Sequence, residues 1–161
     1  MNMHKYEKWW LVFGSGTLLV FLVVVGISAF YMGSKPPSCA VTLNPETVRE
    51  SPTFKEPGLK EIGDNEYSLA IVASAFDYDV GEDDKVVEIP KGATVHISAT
   101  TTDVIHGFEI AGTNANMMLE PGYVSTYTNT FKNAGTYTLV CNEYCGVGHH
   151  LMAATIEVVE E

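Results

Sequence analysis

The chain is short of basic charge and has only three cysteines, and both facts narrow what it can do. Lys and Arg together number 9 against 20 Asp and Glu in 161 residues, giving a formal net charge of −11. Nucleic-acid binding needs a basic face, and these cations are too few to build one. The acidity suits a cationic partner protein or a saline medium. Three cysteines is a poor number for a disulfide framework. Cys39 follows Pro36-Pro37-Ser38, without the apolar, small-residue context of a lipidated cysteine, and reads as a bystander thiol. Internal repeats, low-complexity tracts and long amphipathic helices are also missing. What remains is room for one modest domain with appendages.

Charge is missing locally as well. From Trp9 to Met32 no residue is charged. At about 1.5 Å per residue this run is long enough to cross about 30 Å of hydrocarbon. Trp9 and Trp10 open it and Tyr31 closes it, so amphipathic rings stand at both interfaces. Lys5 and Lys8 precede it and only Lys35 follows closely. The positive-inside rule then predicts a single-pass anchor in the cell membrane, its N-terminus cytoplasmic and the rest on the outer, periplasmic side. A cleaved signal peptide fits less well, because the run is too long and Ser28-Ala29-Phe30-Tyr31 is a poor cleavage site.

Five of the seven prolines (Pro36, Pro37, Pro45, Pro52 and Pro57) fall in the polar stretch that follows. This predicts an extended linker or partner-bound arm. A short helix is expected at Asn44–Glu50, with Pro45 at its first position. From Tyr67 the texture turns to short β-rich runs, predicting strands over 67–76, 86–89, 94–100, 104–110, 123–131, 136–140 and 154–159. Gly-, Pro- and Asn-containing turns separate them. The fold class expected is all-β, an antiparallel β-sandwich behind one N-terminal transmembrane α-helix. The expected division is a membrane anchor (1–33), a Pro-rich linker (34–66) and a β domain (67–161).

Most of the unusual chemistry lies in the twelve residues from Cys141 to Met152, Cys-Asn-Glu-Tyr-Cys-Gly-Val-Gly-His-His-Leu-Met. Two thiols, an imidazole and a thioether so close together form a soft-metal site that favours copper. Gly146 and Gly148 let the chain fold back so that one loop supplies several ligands. Cys145, His149 and Met152 match the Cys/His/weak-Met set of a single blue-copper site, with His106 from an upstream strand as the second histidine. Cys141 alters that reading. Two thiolates on one copper hold too much negative charge, whereas two thiolates bridging two coppers are balanced. One histidine and one weaker ligand would finish each metal, the weak ligands being the Met152 sulfur and a loop carbonyl, best placed at Glu143. Such a centre has no open position for catalysis and suits electron transfer.

Cys-x-Glu-x-Cys-Gly-x-x-His-x-x-Met with an upstream His resembles the dinuclear copper A centre of the cytochrome c oxidase subunit II family. Asp103-Val104-Ile105-His106-Gly107-Phe108, Gly112-Thr113-Asn114 and Leu119-Glu120-Pro121-Gly122 are similar to the same family. The single membrane helix and Pro-rich arm resemble its B-type haem–copper oxidase branch. The resemblance implies a cupredoxin-like Greek-key β-sandwich and two copper ions on His106, Cys141, Cys145, His149, Met152 and the Glu143 carbonyl. It also implies electrons arriving from a cytochrome c or small copper protein and leaving for haem in subunit I, where oxygen is reduced. His149 would face subunit I, and the Glu143 side chain would offer a Mg²⁺ ligand at that interface. Relatives with two membrane helices receive electrons at a Trp/Tyr-rich stretch. Here the corresponding residues are Ala75-Phe76-Asp77-Tyr78, leaving Phe76 and Tyr78 as candidates or as ordinary core aromatics.

Several residues read more simply. His150 falls outside the motif spacing, His96 alternates along a strand, and Met117 and Met118 suit packing. The competing functions are a membrane-anchored mononuclear blue-copper carrier, which leaves Cys141 idle, and a structural zinc site, which has no need of Met152. A Cys-x3-Cys chaperone or thiol oxidoreductase would place its pair early, in an α/β chain.

Overall fold

The computed structural model describes residues 3–32 and 37–160. Lys35 and Pro36, invoked above for the flanking charge and the start of the linker, lie outside the described residues, as do 1, 2, 33, 34 and 161. Two compact units are present, residues 1–35 and 36–161. The first contains α1 (Lys5–Gly26), which runs on through a π-helical turn, Ile27–Tyr31. Nδ1 of His4 caps its start by accepting from the Tyr6 amide at 3.4 Å. No side chain of α1 is buried, so its apolar surface is left facing outward all round. The continuous helical stretch is long and apolar enough to cross a membrane.

The second unit has eleven strands among the described residues: β1 (Ser38–Thr42), β2 (Gly58–Gly63), β3 (Glu66–Ser74), β4 (Asp77–Asp79), β5 (Val86–Pro90), β6 (Thr94–Thr101), β7 (His106–Ile110), β8 (Asn116–Leu119), β9 (Tyr123–Thr130), β10 (Gly135–Val140) and β11 (Ala153–Val159). One sheet runs β1-β9-β6-β3-β2, with β4 added to β3, and the other runs β5-β11-β10-β7-β8. The wholly antiparallel expectation needs correction, because β3 pairs parallel with β6 and β5 parallel with β11. The reason is topological. Between β3 and β6 the chain makes an excursion through β5 in the opposite sheet, and such a crossover returns it in the same direction.

The inner faces enclose one core, with Leu69, Ile71, Val95, Ile97, Phe108, Ile110, Leu139 and Ile156 all fully buried. The alternating patterns of β10 and β11 follow from having one face on this core. β3 does not alternate: Leu69 through Ala73 are buried without interruption. Its outward residues Ala70 and Val72 join Val48, Phe54 and Val124 in a second cluster, with Leu43 packed against it.

That second cluster revises the picture of an extended linker. β1 pairs with β9 at one edge of the first sheet and β2 pairs with β3 at the other. The segment between them includes the expected helix, a 3₁₀ helix at Pro45–Glu50 with Asn44 Oδ1 accepting from the Glu46 amide at 3.0 Å. Arg49 anchors it to Asp79 at 2.5 Å. Pairing both sheet edges satisfies backbone groups that would otherwise be open. Covering the outer face buries Val48 and Phe54.

Candidate metal centre

His106 is the first residue of β7 and is completely buried. The preceding turn is organised by Asp103. Its Oδ1 accepts from the Val104 amide at 2.7 Å and from the Thr101 hydroxyl at 3.1 Å, and its Oδ2 accepts from the Ala75 amide at 2.6 Å. These bonds explain why the strand expected from Val104 starts at His106. Nε2 of His106 lies 2.9 Å from Asp103 Oδ1. With its Nε2 proton given to the carboxylate, His106 presents an Nδ1 lone pair to the interior, an arrangement typical of metal-binding histidines. Nδ1 is buried and has no hydrogen-bond partner among the described residues.

The loop from β10 to β11 closes beneath that nitrogen. The Cys141 amide donates to Met152 O at 3.3 Å, so the β10–β11 ladder runs one step into the loop and sets its two ends side by side. Bonds from the His149 amide to Gly146 O, from Leu151 to Gly148 O and from Met152 to His149 O wind the return into a 3₁₀ turn. The sulfur atoms of Cys141 and Cys145 are 3.8 Å apart, and both cysteines are free thiols. The Cys141 thiol also reaches Glu143 O at 3.1 Å. Nδ1 of His149 is 3.6 Å, and Sδ of Met152 3.7 Å, from the Cys145 sulfur. Ligand atoms of His106, Cys141 and Cys145 all lie within 4.8 Å of one another.

Backbone geometry makes this convergence possible. A Cβ on Gly107 would stand 2.5 Å from the Asn142 amide nitrogen and 2.6 Å from that of Glu143, so only glycine lets the loop lie against β7. The Gly107 amide donates to the Cys141 sulfur at 3.4 Å, and its carbonyl accepts from the Tyr78 hydroxyl at 2.5 Å. Asn142 ties the loop across β7 and β8, donating to Glu109 at 3.1 Å and Asn116 at 3.2 Å.

Electrostatics agree with this wiring. Burial pushes the Asp103 carboxyl up, but hydrogen bonds from His106, the Val104 amide, Thr101 and the Ala75 amide outweigh it and hold it below its ordinary value. Burial, with hydrogen bonding and charge from Cys141, pushes the Cys145 thiol up, while a hydrogen bond from the Phe76 backbone opposes the rise. Burial and then the charge of Cys141 push the Tyr78 phenol far above its ordinary range, so it stays neutral.

The sequence-derived residues separate cleanly by place. His106, Cys141, Cys145, His149, Met152 and the Glu143 carbonyl come together. His150 is exposed beside them, and His96 bonds Thr128 at 3.1 Å on the other sheet. Met117 is buried in the core and Met118 faces outward. Cys39 is exposed on β1. Tyr78 is 1% exposed, which removes it from contact with an electron donor, whereas Phe76 is 39% exposed. Sequence reasoning misses Asp103, Gly107 and Asn142. An Asp three residues before the ligand His and a Gly directly after it are the available signals.

The donor set and the orphaned His106 nitrogen fit a soft metal, and thiolates 3.8 Å apart can share ions at ordinary metal–sulfur lengths of about 2.3 Å. Fold and site together define a β-sandwich protein with a copper-type centre carried mainly by one loop. Residues 65–159 match the family described as "Cytochrome C oxidase subunit II, periplasmic domain". The chain is 38% identical over 159 residues to cytochrome c oxidase subunit 2 of Thermus thermophilus, covering 96% of this chain and 92% of that relative. It is 25% identical to an alternative cytochrome c oxidase subunit 2 of Bradyrhizobium diazoefficiens, covering 98% of this chain and 61% of that one. A chain in the electron cryo-microscopy structure of a haem–copper terminal oxidase dimer superposes with a TM-score of 0.81 at 33% identity, covering 96% of this chain and all of that one. The chain belongs to the cytochrome c oxidase subunit II family, and its fold is the cupredoxin-like sandwich expected from the sequence.

Proposed function

We propose that this chain is the electron-accepting subunit of a respiratory haem–copper oxidase. It takes electrons one at a time from a cytochrome c or a small copper protein and hands them to haem in subunit I, where oxygen is reduced. Two copper ions would be held by the Cys141 and Cys145 sulfurs, His106, His149, Met152 and the Glu143 carbonyl oxygen. When bound, such a copper pair supplies a one-electron redox couple. The chain's own residues keep the donors in place: Asp103 fixes the His106 ring, Gly107 admits the loop, and the β10–β11 ladder sets Cys141 beside Met152.

The observation that carries this reading is the pairing of two free thiols 3.8 Å apart with a buried imidazole nitrogen that has no other partner among the described residues. A mononuclear blue-copper carrier gives Cys141 nothing to do, although it sits within the cluster. Among the described residues the Glu143 carboxylate belongs to no group of three possible metal-holding side chains, so a Mg²⁺ there would draw its other ligands from a partner subunit. Phe76 is the aromatic available to a donor at the surface. We assign residues 36–161 to the copper-bearing domain, arm included. We assign the N-terminal helix to a membrane anchor, with its N-terminus cytoplasmic and the domain periplasmic.

The test is copper stoichiometry and electron paramagnetic resonance on the full chain in detergent. Two coppers per chain and a mixed-valence spectrum are expected, and Cys141→Ser removes that spectrum. One copper per chain after full reconstitution, or an unchanged spectrum in the variant, overturns the dinuclear assignment.

A further inference from the structure

The turn between β3 and β4 reaches both halves of the metal centre. Phe76 adopts φ +67°, a left-handed conformation that a bulky aromatic residue rarely takes. Its ring lies against the ligand loop: a Cβ on Gly148 would fall 2.6 Å from Phe76 Cγ, and one on Gly146 3.0 Å from Cε1. A side chain at Gly148 would have to push the ring aside. The ring and the two glycines therefore form a matched contact.

The same turn reaches the other half of the centre through its backbone. The Ala75 N–H bonds Asp103 at 2.6 Å, and Asp103 in turn holds His106. The ring therefore bears on the loop that carries Cys145 and His149, while the amide beside it fixes the carboxylate that orients the ligand from β7. Unusual backbone geometry of this sort persists only where surrounding contacts enforce it, and the ring seated on Gly146 and Gly148 is such a contact.

We propose that Phe76 is a positioning residue of the metal centre, its ring clamping the loop and locking the turn so that the Ala75 N–H stays on Asp103. This rests on the copper reading for its electronic consequence, but its geometric part holds in the metal-free chain. Losing the clamp frees the loop that carries Cys145 and His149, so the ligand geometry changes, and with it the reduction potential and the sulfur-to-copper charge-transfer bands. In the metal-free chain, a freed loop exposes the Cys145 thiol.

The experiment compares Phe76→Ala, Phe76→Gly and Phe76→Tyr in the full chain in detergent. Alkylation of each cysteine in the metal-free proteins is followed by mass spectrometry, with Cys39 as internal reference. Phe76→Ala is expected to label several-fold faster at Cys145 than wild type, with a shifted potential and shifted bands once copper is loaded. Phe76→Tyr keeps the ring and is expected to behave as wild type. Phe76→Gly accepts the left-handed backbone without strain, so it keeps the proposal testable if the alanine variant folds poorly. It is expected to label as fast as the alanine variant. Wild-type labelling rates and an unchanged potential in both ring-less variants would overturn the proposal. If wild type loads one copper, the dinuclear reading fails while the labelling rates still decide the clamp.

Discussion

Gly107 has no side chain, and the centre depends on that. Its missing Cβ leaves space for the Asn142 and Glu143 amides, and its own amide reaches Cys141. Gly107→Ala would force the loop off β7, and overpacking of this kind costs about 1–3 kcal/mol. Copper affinity in a chelator competition is expected to fall about tenfold or more. Unchanged affinity would show that the loop relaxes freely. The ligand-type residues are legible in the sequence because soft-metal chemistry demands unusual side chains at close spacing. Gly107 and Asp103 are not, since a close approach and a hydrogen bond exist only once the turn and loop have met. The entrance of a left-handed Phe is equally hidden, and it ends β3 at Ser74 where the apolar run predicts Phe76.

At the level of elements, the arm is the main departure from the sequence reading. Its prolines and weak alternation suggest a linker, and short edge strands such as β1 and β2 carry too little periodicity to stand out. β4, with three residues, and β8, whose Met117 and Met118 read as packing, escape notice for the same reason. One clue is available: the unbroken apolar run Leu69–Ala73 implies a strand covered on both faces. Phe54 supplies much of that cover and is 1% exposed. Phe54→Ala is expected to destabilise the domain by about 3–5 kcal/mol, read from denaturant unfolding. A loss below about 1 kcal/mol would mean the arm is not part of the cooperative unit.

For the whole molecule, the dominant quantity is charge. A net −11 creates a field that would speed encounter with a cationic donor without holding it tightly. The crest of the ligand loop is itself apolar, with Tyr144, Val147 and Leu151 exposed. Association rates with a cationic cytochrome c are therefore expected to fall as salt rises, while dissociation rates change little. Stopped-flow kinetics across ionic strength checks this, and a flat association profile would leave the acidity to a saline habitat.

The pairing of β1 with β9 joins Ser38 to Thr126. Seen in time rather than space, this sets an order of events during synthesis. A chain made from its N-terminus produces the arm early and its partner strand late. Val48 and Phe54 must wait uncovered while most of the sandwich is still unmade, the slow, exposed interval that distant strand partners impose. The metal loop closes later still, because Met152 and β11 follow all the other described strands in chain order. A metal held jointly by His106 and Met152 could therefore be received only after the strands of the sandwich have been made, so loading would report that the sandwich has closed.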